Sequence, residues 1–277
     1  MLSLFRSLFE FGFPAAATVL FVSLTLAMEV GYRVGRWAVI KHLAQSDDTS
    51  RISTLTAAML GLLAFTLSLS ISFGQNRYEA RRALVVSEAN AIGTAWLRAK
   101  LIDGDESSTI VARIEDYAKA RLAFTMAGSD SDALPQVVRT NVLQNDIWQA
   151  TQVVAHRSPN PVTTALVNAL NDVFDTAAAQ RFAYQSGVPP ELVLALYFAA
   201  LLTIGALGYQ FGVAGKRQEV LSLLLLIMWS GGILLIVDLS KPRAGEIRVE
   251  AEPLVWAIQG FDQRWEAKGQ LTPINAN

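Results

Sequence analysis

The sequence predicts an all-α membrane protein with four transmembrane helices and a helical extramembrane bundle inserted between the second and the third. Two observations predict it. Four stretches, 11 to 28, 52 to 76, 192 to 215 and 220 to 237, contain no Asp, Glu, Lys or Arg. A helix rises about 1.5 Å per residue and the hydrocarbon core is about 30 Å thick, so roughly 17 to 25 apolar residues span it. Between the second and third stretches, by contrast, residues 77 to 190 are as charged as an ordinary soluble domain. Hydrophobic residues make up 52% of the 277 and charged ones 17%, so the polar residues are concentrated in the middle and at the C-terminus. The chain therefore divides into a first transmembrane hairpin (1 to 76), a helical bundle (77 to 190), a second hairpin (191 to 239) and an extramembrane tail (240 to 277).

The first apolar run begins after Arg6 and resembles the core of a secretion signal. No small-x-small cleavage site follows it, and it continues through Glu29, Gly31 and Tyr32 toward Arg33 and Arg36. It reads as a retained span. Span two, from about Thr54 to Gly74, meets no stop signal. It runs on through Arg77 to Ile102 in residues with high helix propensity, giving one helix of roughly 48 residues if it reaches Leu101.

Asp103, Gly104 and Asp105 end that helix, and Ser107 or Ser108 is positioned to cap the next. In the next helix Val111, Ile114, Ala118, Leu122 and Thr125 recur at helical spacing. After a polar break at 128 to 132, Leu143, Ile147, Ala150 and Val154 share a face. Asn160 followed by Pro161 suits an N-cap and first helical position, since the proline lacks only an amide that would be unpaired there. Val162, Leu166, Ala169, Val173 and Ala177 then form a fourth apolar stripe. Spans three and four, joined by a short link near residues 212 to 217, form an antiparallel hairpin. Past Asp238 the pattern ends the helix, and an apolar patch from Leu254 to Phe261 is available to dock on the bundle.

Several classes are excluded. Net charge is -1 and no run of five basic residues occurs, so nucleic acid is not an expected partner. Cysteine is absent, which removes disulfides, thiolate nucleophiles and cysteine metal sites. The two histidines, His42 and His156, lie far apart, and neither a phosphate-binding glycine loop nor a hydrolase or zinc motif is present. No cofactor, no metal site and no catalytic residue is expected. The acidic pairs Glu115/Asp116 and Asp130/Asp132 read as solvated.

Two separated segments carry a family resemblance: the end of span two with RYEARRALVVSEANAIGTAWLRA (Arg77 to Ala99), and DLSKPRAGEIRV (Asp238 to Val249) after span four. With the spacing of the spans, they resemble a family of bacterial membrane proteins containing a bestrophin-like domain. The resemblance implies a multi-pass protein of the bacterial inner membrane, assembled as a homo-oligomer in the lipid bilayer and passing small ions. In bestrophins, mostly anion-selective pentamers, the second transmembrane helix lines the pore and the helical domain is cytosolic. Basic residues leave orientation open: six flank the short links and eight flank the insert side. Their density favours cytoplasmic links, whereas the resemblance implies the opposite.

With span two as a pore helix, Met59, Leu63, Thr66, Ser70, Phe73 and Arg77 share one face. That order supplies an apolar constriction, hydroxyls, a ring for a gate and a cation to attract anions. Alternatively, the hydroxyls bond carbonyls of their own helix and Phe73 packs on a neighbour. Glu29 is placed to pair with Arg33 one turn on, a salt bridge favoured over an ion or proton site, and Asp238 to pair with Lys241 or Arg243, anchoring the helix end in preference to a transport role. Arg81, Arg82, Glu88 and Asn90 lie among Ala89, Ala91, Gly93 and Ala95, a composition for a helix-packing or subunit interface with the charges paired across it. The pairs Gly31/Gly35 and Gly208/Gly212 have the spacing for close helix contact. The leading functional expectation is an ion channel, and the alternative is a non-conducting scaffold or sensor whose bundle binds a partner.

Overall fold

The computed structural model describes residues 13–43, 49–243 and 245–261. Among them the chain forms eight α-helices and no strand: α1 Phe13–Ile40, α2 Thr49–Ala99, α3 Asp105–Met126, α4 Asp130–Arg157, α5 Pro161–Gln185, α6 Pro190–Ala214, α7 Glu219–Ser240 and α8 Glu252–Phe261. Four helical stretches are long and apolar enough to cross a membrane. The fold is all-α and the protein is integral to the membrane. Two compact units divide it, Met1–Arg77 with Gly187–Ile247 and Tyr78–Ser186 with Arg248–Asn277.

The first unit contains α1, the first part of α2, α6 and α7. Water drives no helix together inside lipid, so packing there depends on close approach and van der Waals contact. Glycine provides it. On α1, a Cβ at Gly31 would collide with the carbonyl oxygen of Gly205 and one at Gly35 with that of Tyr209. Reciprocally, a Cβ at Gly208 would strike Met28 O and one at Gly212 would strike Tyr32 O. The two glycine pairs thus face each other, and α1 and α6 are in backbone contact over two turns. Elsewhere the unit is filled by larger side chains, among them Leu20, Leu24, Leu63, Leu196, Ile233 and Ile236. The other faces of α1 and α7 expose Val22, Leu26, Val30, Leu221, Leu224 and Ile227, as lipid-facing helices do.

Two turns close this unit. Gly215, at φ 68°, ends α6 in the left-handed region and lets α7 begin four residues later, which makes the hairpin. After α7, the Asp238 carboxylate accepts from the amides of Glu246 at 2.8 Å and Ile247 at 2.9 Å. A Cβ at Gly187 would stand 2.9 Å from Ser240 O, so glycine is needed where the chain enters α6 beside this turn.

The second unit packs the later part of α2 with α3, α4, α5 and α8. Its core includes Val85, Ile92, Ile114, Ile147, Leu170 and Leu254. Asn160 caps α5 by accepting from the Thr163 amide at 2.9 Å, with Pro161 at the first helical position. Ser129 caps α4 by accepting from the Asp132 amide at 3.1 Å, so α4 begins inside the expected break. The cap expected from Ser107 or Ser108 does not form. Gly104 is the N-cap of α3, and Ser107 donates backwards to Ala99 O at 2.8 Å, tying off the end of α2. Helix α8 packs on α3 and stacks Phe261 on Trp96, ring centres 4.9 Å apart.

Candidate functional site

Helix α2 is continuous over 51 residues, about 75 Å at about 1.5 Å per residue, and about 20 of those residues suffice to cross the hydrocarbon core. Within the first unit its faces differ. Thr56, Leu63, Ser70 and Gly74 are buried. Leu67 approaches Gly232 of α7 closely, and Leu239 lies 3.1 Å from where a Cβ of Gly74 would be, so this face is packed on α7. On the opposite face Gly61, Phe65, Ser68, Ser72 and Asn76, four, three, four and four residues apart, are all exposed. That outward stripe carries a ring, two hydroxyls and an amide.

The six residues expected on a pore-facing side fall mostly on the inward side. Leu63 and Ser70 are each only 2% exposed, and Met59 and Thr66 are half-buried. Thr66 donates to Leu62 O and Ser70 to Thr66 O, both at 2.8 Å, so each hydroxyl is engaged by its own helix. Phe73 (57% exposed) and Arg77 are open at the edge of this side. The spacing does place all six within one arc of the helix, but helical periodicity does not tell which arc a neighbouring helix covers.

Charged candidates are distributed over both units. In the first, Glu29 accepts from Arg33 Nε at 2.8 Å and also from Arg217 of the α6–α7 turn, whose Nη1 lies 3.2 Å from Oε2. Arg217 lies over the Tyr32 ring, 4.1 Å from its centre. Asp238 and Arg243 are both buried, the former holding its loop as described. In the second unit Arg81 is buried while Arg82 and Asn90 are exposed. Glu88 is fully buried and accepts from Arg121 Nε and, at 3.3 Å, from Arg121 Nη2. Arg121 also donates to Gln180 Oε1, and Gln180 donates to Thr125 Oγ1 at 3.3 Å. Burial pushes the Glu88 carboxyl above the usual carboxylate range, with Arg121 opposing it. Tyr117, buried beside them, has its phenol pushed up by the same loss of water.

Arg121, Gln180 and Arg217 were absent from the expected set. Arg121 and Gln180 are legible in retrospect as polar residues in register with apolar stripes: Arg121 lies seven residues after Ile114, and Gln180 seven after Val173. Glu115, expected to be solvated, instead accepts from Trp96 Nε1 at 3.0 Å. Among the described residues no group of three His, Asp or Glu could hold a metal ion.

Most of this chain, from within α1 to within α8, matches a known family. A model of the bestrophin-like domain matches residues 21–254. The chain belongs to the bestrophin-like family. Solved structures share its fold at 16% identity. A point variant of a bacterial bestrophin homolog from Klebsiella pneumoniae, with alanine in place of an isoleucine, has a TM-score of 0.58 over 90% of this chain and 98% of its own. A second variant of the Klebsiella pneumoniae homolog, with threonine in place of a leucine, gives 0.57 over 93% and 99%. A third, with threonine in place of an isoleucine, gives 0.56 over 87% and 95%. No curated protein matches the chain. In this bestrophin-like protein, the outward stripe of α2 is exposed on the single chain.

Proposed function

We propose that this bestrophin-like protein is an oligomeric ion channel whose second transmembrane helix lines the conduit. The observation that carries the reading is the stripe Gly61, Phe65, Ser68, Ser72 and Asn76, exposed on α2 across from the face packed on α7. Polar groups facing hydrocarbon are unfavourable, so intramembrane hydroxyls and amides belong against protein or in a water-filled path. Copies arranged about an axis with this stripe inward place both serines and Asn76 in such a path. Phe65 then forms an apolar constriction that gates by dewetting. Arg77, exposed one residue beyond Asn76, supplies positive charge at the mouth and favours anions there.

The native chain has no cysteine, so single cysteines can be placed without removing any. Purified protein is reconstituted in liposomes and ion flux is measured before and after a water-soluble thiol reagent. S68C and S72C should be blocked, and S70C, on the packed face, should not. Absence of any flux in the wild type, or block of S70C alone, overturns the reading. The symmetry of the particle in detergent supplies an independent check, because a conduit needs a closed ring of copies.

A further inference from the structure

The first unit contains a cleft that the conduit does not use. It has a volume of about 330 Å³ and lies between α1 and the start of α7, floored by Gly208 and Phe211 of α6. The glycine contacts hold α1 hard against α6, and the cleft opens where the start of α7 faces α1. Phe21, Met28, Leu223 and Leu226 give the cleft an apolar lining. Charge gathers at one end, at Glu29, Arg217 and Glu219. From Phe21 to Tyr32 the α1 wall runs about 16 Å at about 1.5 Å per residue, close to half of an approximately 30 Å hydrocarbon core. The cleft therefore has the length of one leaflet, with its charged end at headgroup depth. Trp37, exposed shortly beyond Tyr32, is the kind of side chain that marks that depth.

We propose that this cleft binds an anionic phospholipid, with an acyl chain against Phe21, Met28 and Leu226 and the phosphate at Arg217. Charge complementarity selects the headgroup. Arg217 lines the cleft with Glu29 and Glu219, while Arg33, which donates to Glu29, and Lys216, next to Arg217 in the turn, are exposed beside them, and Arg36 Nη1 reaches to within 3.3 Å of the Cβ position of Gly215 in the same turn. Arg217 is also held ready. Glu29 fixes one edge of its guanidinium and the Tyr32 ring supports one face, while the side chain stays 48% exposed. An arginine fixed in this way loses little freedom on meeting a phosphate. Glu219, exposed in the first turn of α7, opposes the anion and tunes the site.

Native mass spectrometry of the delipidated oligomer tests the assignment, with dioleoylphosphatidylglycerol, dioleoylphosphatidylcholine and inorganic phosphate as probes. Wild type should retain the glycerol lipid about fivefold over the choline lipid, the factor one membrane-proximal basic residue contributes. R217Q should abolish that preference, E219Q should increase it, and S222W, which fills the cleft, should reduce retention of both lipids. A gain in E219Q cannot arise from misfolding, so the proposal survives damage to R217Q. Equal retention of the two lipids by wild type, an unchanged preference in R217Q, or unchanged retention in S222W each overturns it. Displacement of the lipid by millimolar inorganic phosphate would assign Arg217 to a soluble anion and overturn the lipid assignment.

Discussion

Arg121 of α3 donates to the Glu88 carboxylate of α2, and the two side chains are 2% and 0% exposed. The pair joins the long helix to the bundle at a point water does not reach. Gln180 of α5 accepts from the same guanidinium, and Phe124 lies under it, 4.5 Å from ring centre to Cζ. Three helices thus meet on one cation.

Removing one partner of a buried pair strands the other. E88A should therefore destabilise the protein by about 3–5 kcal/mol, whereas E88L combined with R121M should be close to neutral, because two desolvated charges are replaced by packing. Chemical denaturation followed by tryptophan fluorescence measures both. A loss in the double variant as large as in E88A would show that the pair is worth more than its desolvation.

Acid should favour this site. Burial holds the Glu88 carboxyl above its usual range, so the native state binds a proton more readily than the unfolded state between pH 4.5 and the raised native value. A raised carboxyl contributes stability that is present below the unfolded value and lost as pH rises through the native one. The difference in melting temperature between wild type and E88Q should accordingly shift in favour of wild type on acidification from pH 7.5 toward pH 5. Other carboxylates titrate alike in both proteins and cancel. A difference that moves the other way would mean that Arg121 outweighs burial.

The four spans and the long helix are legible in the sequence because each depends on local properties: absence of charge over about 20 residues, and absence of a helix stop after Gly74. Asn160 and Pro161 are equally local, and the α5 cap forms on them. What periodicity leaves open is which neighbour covers a face. Met59 to Arg77 share an arc of α2, but that most of the arc packs inward depends on α7, more than 140 residues away in sequence. Ser107 fails for a related reason. Its hydroxyl finds the Ala99 carbonyl exposed by the end of α2, an alternative to capping that exists only once the chain has turned.

The α1–α6 seam gives a sharp contrast among glycines. A methyl group at Gly208 meets the Met28 backbone, which cannot move aside as a side chain can, whereas one at Gly231 of α7 meets nothing within 4 Å. G208A should lower stability in detergent by about 1–3 kcal/mol or more by forcing the helices apart. G231A should be neutral or gain about 0.5–1 kcal/mol from helix propensity. Thermal unfolding of the two variants side by side measures the contrast, and equal effects would mean that α1 and α6 are not in backbone contact.

Asp238 allows the last prediction to separate charge from geometry. Its two oxygens accept from successive amides, Glu246 and Ile247, and the carboxylate itself is buried. Each hydrogen bond to an ionised acceptor contributes about 1.5–3 kcal/mol. D238A leaves both amides without the carboxylate and should lose about 3 kcal/mol or more. D238N keeps one oxygen and should lose about half as much, because its nitrogen cannot accept and faces an amide donor. Amide hydrogen exchange at residues 246 and 247 localises the effect. Both variants should release protection there first, and protection retained in D238A would show that these amides are held by something other than Asp238.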